Sequence, residues 1–516
     1  STRPLLFLCA ILFCIAPAVA QQPAADFKSV STHVEERLPS YDFIELPDGW
    51  KIDKVASGFT YATGMTWDDA GRLWVSESGG GMAPFMIATP RLVAVGAANP
   101  AAAIDLSGFD VRSPVNDVTW HDGWLYFSHR LPDLSGGVSR IRPDGSGYQN
   151  LIRGLPSWFE HQTNEIVFGR DGTLYVAQGP PTNSGVPGPD VQPWVEAYPT
   201  GAVIPCKDIV LTGQNYYSDN FLTPQEGDHV STGAFVPFGK MTTEGQRIAG
   251  GAPRCAGAVL KARPDGSNLV VVAWGFRNIF GLAFGPGGDL YVSQNGMDMR
   301  GLRPAEHDKD AFYRVRGGEW YGWPDYTAEL KPITTMSPPE RMLATGRKKL
   351  EFVIDHGASG LDAPDRDLLV ATFHHHSATT KFDFAPGAWK PCAGNAYFAQ
   401  WGDLAPPTGP LHGPEPLGFK VVMVDMKSGK VHEAVRNKYE GPASRYGNLG
   451  RGLERPIEVK FGSDGAMYVL DFGQALIDLD KKPPYVYPPG TGMIWKITRT
   501  GQSCALPEEP GGGHAH

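Results

Sequence analysis

Three phrases in this 516-residue chain set reactive side chains just ahead of an apolar strand pattern. His161 stands in FEHQTNEIVFGRDG, Arg277 and Asn278 in WGFRNIFGLAFGPGGD, and Arg455 in RPIEVKFGSDG. A histidine in such a place can serve as general base, because imidazole changes charge near neutral pH; the neighbouring Glu160 can orient it or raise its basicity. Arg277 and Asn278 offer N–H donors to negative charge developing on an oxygen. The plainer alternative for His161 is a residue that only caps a strand.

What could bring these positions together is a repeat. The unit is an alternating apolar strand, a D-G or G-G turn, then a second strand of the type L/M-Y/W-V/F. It begins at Tyr61 (YATGMTWDDAGRLWVSES), Pro114 (PVNDVTWHDGWLYFSHR), Asn164 (NEIVFGRDGTLYVAQG), Asn278 (NIFGLAFGPGGDLYVSQNG) and Arg455 (RPIEVKFGSDGAMYVLDFG). Second hairpins lie between, at 138–152, 258–272 and 419–435, with turns of the PDGS or KSGK kind. Two hairpins per unit make a four-stranded sheet, and radial repetition of such sheets makes an all-β propeller. Five units are clear, and a degenerate sixth is expected at 360–373, GLDAPDRDLLVATF. Six blades is therefore the expected count, with seven the alternative. The segment 492–497 should pair with 49–55 to close the ring and remove exposed edges. In a closed propeller, the positions that precede equivalent strands converge on the mouth of the central channel. Long loops at 179–255, 331–349 and 391–416 have the length of lids or binding loops.

Composition supports this plan. Glycine (63) and proline (45) are abundant, and the apolar periods are those of short strands rather than helices. The net charge of −9, with signs mixed along the chain, leaves no basic footprint for nucleic acid. Residues 1–20 read as a signal peptide: Arg3, an apolar run from Leu5 to Pro17, and an A-x-A site at 18–20. Residues 21–48 then form a leader, 49–500 the propeller and 501–516 a flexible tail. No transmembrane segment is expected once the signal is removed, which places the protein in the periplasm or outside the cell. Cys206, Cys255, Cys392 and Cys504 would meet an oxidising setting there. Four cysteines allow three pairings; Cys206–Cys255, closing an inserted loop, with Cys392–Cys504 is the expected one.

The phrases HQTNEIVFGRDGTLYV, GFRNIFGLAFGPGGDLYVSQNG and GGEWYGWPDY resemble those of the glucose/sorbosone dehydrogenase family, soluble sugar dehydrogenases that carry pyrroloquinoline quinone (PQQ) on a six-bladed propeller. The resemblance implies a dehydrogenase that moves hydride from a sugar or related alcohol to PQQ. His161 would be the base, with Glu160 beside it and Arg277 and Asn278 on the quinone oxygens. It also implies Ca²⁺, held by oxygens of Asn295, Gly296, Met297, Asp310, and also of Asp308 and Tyr321. Electrons would leave to an external acceptor such as a cytochrome or quinone, because the chain has no C-x-x-C-H haem motif.

The chain also departs from the family pattern, which binds the cofactor carboxylates with a lysine and two arginines. Arg455 matches one arginine, the second falls on Ile457, and the lysine region reads TFHHHSATTK. His374, His375, His376 and Lys381 are the available substitutes there, with Arg451 close by; strand alternation sends His374 and His376 to one face and His375 to the other. The three histidines could instead bind a transition metal. Two other readings use the same scaffold. One is a calcium-dependent lactonase or other hydrolase, with Glu77, Asn116, Asn164 and Asp471 as convergent ligands. The other is a non-catalytic propeller that binds a protein partner or glycan through its loops.

Overall fold

The D-G turns fold the way their chemistry dictates. In the computed structural model, the carboxylate Oδ1 of Asp68, Asp144, Asp171, Asp265 and Asp464 accepts the amide of the residue two positions on, at 2.9–3.1 Å. Each turn is thereby fixed by its own aspartate side chain. The structure describes residues 40–80, 88–96, 103–336, 349–405, 416–446, 451–477, 480 and 485–507. The expected signal peptide, the expected leader up to residue 39 and residues 508–516 of the expected tail lie outside these.

Six antiparallel sheets follow one another around a central channel. Their inner strands are Ala62–Trp67, Arg112–His121, Thr163–Phe168, Asn278–Phe284, Thr379–Phe384 and Pro456–Phe461. The first four blades run straight through the chain, each inner strand followed outward by three more. Blade three is interrupted between its second strand, Leu174–Gln178, and its third, Ala258–Ala262. The interruption carries two small hairpins and a short helix, and Cys206–Cys255 ties its ends together. Blade six takes its outer strand from the other end of the chain: Trp50–Phe59 pairs with Gly492–Arg499. That pairing closes the ring as the alternation of both segments predicts.

Two boundaries differ from expectation. The segment 360–373 is not a blade of its own, because Leu369–Phe373 is the outer strand of blade four. Blade five instead starts at Thr379–Phe384 and returns at Ala396–Gln400. Its connection, APGAWKPCAGN, has no aspartate turn and folds as a short 3₁₀ segment over Cys392, so the repeat phrase is absent there. The chain also stays bound beyond residue 500. Cys504 is bonded to Cys392, its carbonyl accepts the Tyr397 hydroxyl at 2.9 Å, and the Leu506 amide donates to Glu433. Both disulfides join the expected partners. No helix among the described residues is long and apolar enough to cross a membrane.

Apolar cores fill the wedges between blades, while the channel itself is polar. Corresponding positions of the inner strands carry Gly64, Asp117, Glu165, Gly281, Lys381 and Glu458. Lys381 Nζ donates to Asp117 Oδ1 (2.5 Å) and to the carbonyls of Thr63 (2.8 Å) and Asn116 (2.9 Å), all in a dry interior. One strand turn deeper, Lys460 Nζ donates to Glu458 Oε1 at 2.6 Å. Burial pushes the Glu165 carboxyl well up, against the pull of Lys381. Gly64 makes room for this cluster, since a Cβ there would sit 2.6 Å from Asp117 Oδ1. Removing one member of such a pair strands a buried charge. Lys381→Met should therefore cost about 3–5 kcal/mol of stability in chemical denaturation; a variant as stable as the parent chain would refute the pairing.

Candidate functional site at the channel mouth

Immediately outside this cluster the inner strands line a cavity of about 200 Å³. One half is polar and comes from blades two to five, with Thr63 of blade one. The other half is apolar and comes from blades five and six, with Phe280 of blade four.

His161 reaches the cavity from the segment that enters blade three. Its Nδ1 donates to the carbonyl of Pro180 at 2.9 Å, which leaves Nε2 with a lone pair, 3.7 Å from Glu160 Oε1. Burial, with the positive charges of Arg277 and Arg300, holds the imidazole well below its ordinary pKa, so the ring is neutral at pH 7. Gly179 permits this arrangement, since a Cβ there would stand 2.9 Å from His161 Cβ and 2.8 Å from Asn278 Oδ1.

A network of charges backs the histidine. Arg277 Nη2 donates to Asn183 Oδ1 (2.9 Å) and Asp298 Oδ2 (3.0 Å), and its Nη1 to the Asn295 carbonyl (3.3 Å). Arg300 donates to the same Asp298 oxygen (2.9 Å), to Asp190 (3.1 Å) and to Glu160 Oε1. Burial works against ionisation of Asp298, yet the two guanidiniums outweigh it and hold its carboxyl well below the usual range. His376 Nδ1 lies 3.5 Å from Asp298 Oδ1. Glu160 is the exception. Burial raises its carboxyl despite Arg300, and its Oε2 is buried without a hydrogen-bond partner at the cavity wall.

The floor between the blades is a head-to-tail row of amides. Asn116 Nδ2 donates to Asn164 Oδ1 (3.2 Å), Asn164 to Asn278 (2.9 Å), Asn278 to Asn295 (3.1 Å), and Asn295 to the Thr379 carbonyl (2.8 Å). Every link crosses between strands or blades, so the row fixes their spacing while presenting polar edges upward. Opposite, Phe280, Trp401, Leu404, Ile457, Phe472 and Tyr487 form the apolar half. Trp401 and Phe472 meet edge-on at 5.6 Å, and Phe472 and Tyr487 at 5.9 Å.

Of the residues the sequence singles out, the cavity gathers Glu160, His161, Arg277, Asn278, Asn295, Gly296, Asp310 and His376. Others lie elsewhere for physical reasons. Lys381 is consumed in the channel. Arg455 lies over the ring of Trp401 at 4.1 Å and spends its N–H groups on the carbonyls of Trp401, Gly402, Asp403 and Ala475. Arg451 is exposed, with its carbonyl bound to the Ser40 amide. His374 and His375 do not follow strand alternation, because the strand ends at Phe373 and His376 turns the chain at φ +60°. His375 instead faces His307, with nitrogens 3.2 Å apart. Asp298, Arg300 and Asn183 escape sequence reasoning; the DMR that follows the QNG phrase is the only signal.

The donors test the implied cofactors. Of the expected calcium oxygens, those of Asn295, Asp308, Asp310 and Tyr321 already have hydrogen-bond partners. Asp310 accepts the amides of Gly296 and Thr379, Asp308 accepts those of Met297 and Ala328, and Tyr321 points away to the Arg314 carbonyl at 2.6 Å. Burial lifts Asp308 to about 7. Both carboxylates thus already accept main-chain amides. Among the described residues no cation faces the apolar half, and the polar half already carries Glu160, Asp298 and Asp310, so the three carboxylates of PQQ lack a partner there. The hydrolase ligands do not converge either: Glu77 and Asp471 bind the amides of Thr60 and Arg455, and Asn116 and Asn164 are tied into the floor.

No protein-family model matches the chain, and no curated protein matches it. Among solved structures it is similar to the PQQ domain of pyranose dehydrogenase from Coprinopsis cinerea, at 15% identity and TM-score 0.49, covering 89% of this chain and 98% of that one. It is similar to the PQQ-bound aldose sugar dehydrogenase of Streptomyces coelicolor, at 15% identity and TM-score 0.45, covering 88% and 100%. It is also similar to a gluconolactonase from Xanthomonas campestris, at 12% identity and TM-score 0.41, covering 93% and 99%.

The state of His161 has a measurable signature. Its folded pKa lies below the unfolded value of about 6.5, so the unfolded chain binds the extra proton and stability falls as pH drops below that value. By NMR the His161 ring should not titrate between about pH 6 and 8, and Arg300→Gln should move its pKa upward. Titration at the ordinary histidine value in the parent chain would overturn this account.

Proposed function

We propose that the protein oxidises a sugar or related alcohol at the channel mouth, with His161 as the base and a quinone-class molecule as hydride acceptor. The observation that carries this reading is the imidazole itself: neutral, with Nδ1 committed to Pro180 and the Nε2 lone pair left on the cavity side. The C–H of a bound CH–OH group leaves as hydride to the acceptor while its O–H proton passes to Nε2, leaving a carbonyl. Glu160 Oε1, 3.7 Å away, meets the positive charge that the ring then acquires. Arg277 has an N–H on Nη1 beyond its bond to Asn295, and Asn278 has a second Nδ2 hydrogen; both suit negative charge on an acceptor oxygen. Reoxidation falls to a separate acceptor such as a cytochrome or a pool quinone.

The substrate is read as small and polyhydroxylated because the polar half offers amide and carboxylate edges rather than a deep apolar pocket. Two disulfides and the signal-like start support an exported site of action. His161→Ala should lower alcohol-dependent reduction of an artificial dye by about 10²–10⁴-fold while ligand affinity changes little. Unchanged turnover would remove His161 from the chemistry.

A further inference from the structure

Resting on the reading of the cavity as a quinone site, we propose that it is built for a planar quinone without carboxylates rather than for a tricarboxylate such as PQQ. The argument is an audit of charge around the cavity. A buried carboxylate needs a cation or several N–H donors, or it carries its full desolvation cost. Among the described residues, each arginine and lysine near this cavity is already paired, and only Arg277 keeps a further N–H toward it. Arg277 is bonded to Asn183, Asp298 and the Asn295 carbonyl. Arg300 serves three carboxylates. Lys381 and Lys460 lie in the channel, paired with Asp117 and Glu458.

Arg455 is the decisive case, because it lies closest to the apolar half. Its guanidinium is covered on one side by Trp401 and saturated by main-chain carbonyls, so the indole and not the charge faces the cavity. Burial lowers its pKa to about 10, consistent with a cation closed off from solvent. The neighbouring inner-strand positions carry Ile457 and Thr380, and the Thr380 hydroxyl donates to the Ala399 carbonyl at 3.1 Å. Across the cavity stand Glu160, Asp298 and Asp310, which repel an anion. Trp401, Phe472 and Tyr487 offer instead the stacking and edge contacts that a neutral fused ring uses. The donors of Arg277 and Asn278 remain on the polar side for the two quinone oxygens. Polarity therefore runs in one direction across the site: oxygens toward blades three and four, uncharged ring toward blades five and six.

The test is a set of titrations on the full chain, followed by calorimetry or tryptophan fluorescence. The probes are PQQ, its trimethyl ester, and 9,10-phenanthrenequinone, a tricyclic ortho-quinone with no carboxylate. The ester and phenanthrenequinone should bind at least tenfold more tightly than PQQ, and the double substitution Ile457→Arg with Thr380→Lys should reverse the order. Because that variant could fold poorly, the order of affinities in the parent chain is the primary result. PQQ binding as tightly as its ester, or more so, would overturn the inference while leaving the role of His161 to stand on its turnover test. Failure of all three probes to bind would overturn the inference and the quinone acceptor together.

Discussion

Asp298 stands between two guanidiniums, and the chemistry of the cavity depends on that position. Its carboxylate binds Arg277 on one side and Arg300 on the other, and so lets two positive charges remain buried within reach of His161. Those charges, added to burial, keep the imidazole neutral. Arg300 in turn holds Glu160 against the histidine. Take away the aspartate and both arginines lose a shared partner, and the base loses the surroundings that define its protonation state. The site is therefore one electrostatic unit spread over blade three, the loop after Gln294 and the turn that carries His376.

A second balance lies just below it. The channel could have been a stack of apolar side chains, as in many barrel interiors. Here it is a group of two lysines and three acids, in which burial pushes the Glu165 and Glu458 carboxyls up. Charges in such a place add little net stability but are costly to unbalance. The arrangement also explains why Lys381 cannot serve the cavity above. Its ammonium is bound to Asp117 and two carbonyls, and moving it would leave Asp117 alone in a dry interior.

The fold was largely legible in the sequence because its signals are local. A D-G or G-G turn followed by a strand of the type L/M-Y/W-V/F is complete within about sixteen residues, and five of the six inner hairpins carry it. Blade five, turned by APGAWKPCAGN, lacks the phrase and was placed too early. The site was legible where residues sit at fixed offsets from those hairpins: His161, Arg277, Asn278 and Asn295 all do. It was not legible where a side chain has a choice of partners. Nothing in the type or position of Arg455 says that it will turn to four carbonyls behind Trp401, or that Lys381 will point down the channel. Nor could spacing reveal Asp298 and Arg300, whose importance comes from partners more than 100 residues away, such as Glu160.

Ring closure has a consequence for how the chain reaches this state. The outer strand of blade six, Trp50–Phe59, has no sheet to join until Gly492–Arg499 exists. The two are joined by nearly the entire described chain, and contacts of such separation form late and slowly. Until then both strands are open edges able to pair with another molecule. For a protein of this design, the hazardous interval is the time between emergence of the first strand and arrival of the last. A chain cut short before Gly492 would never leave it.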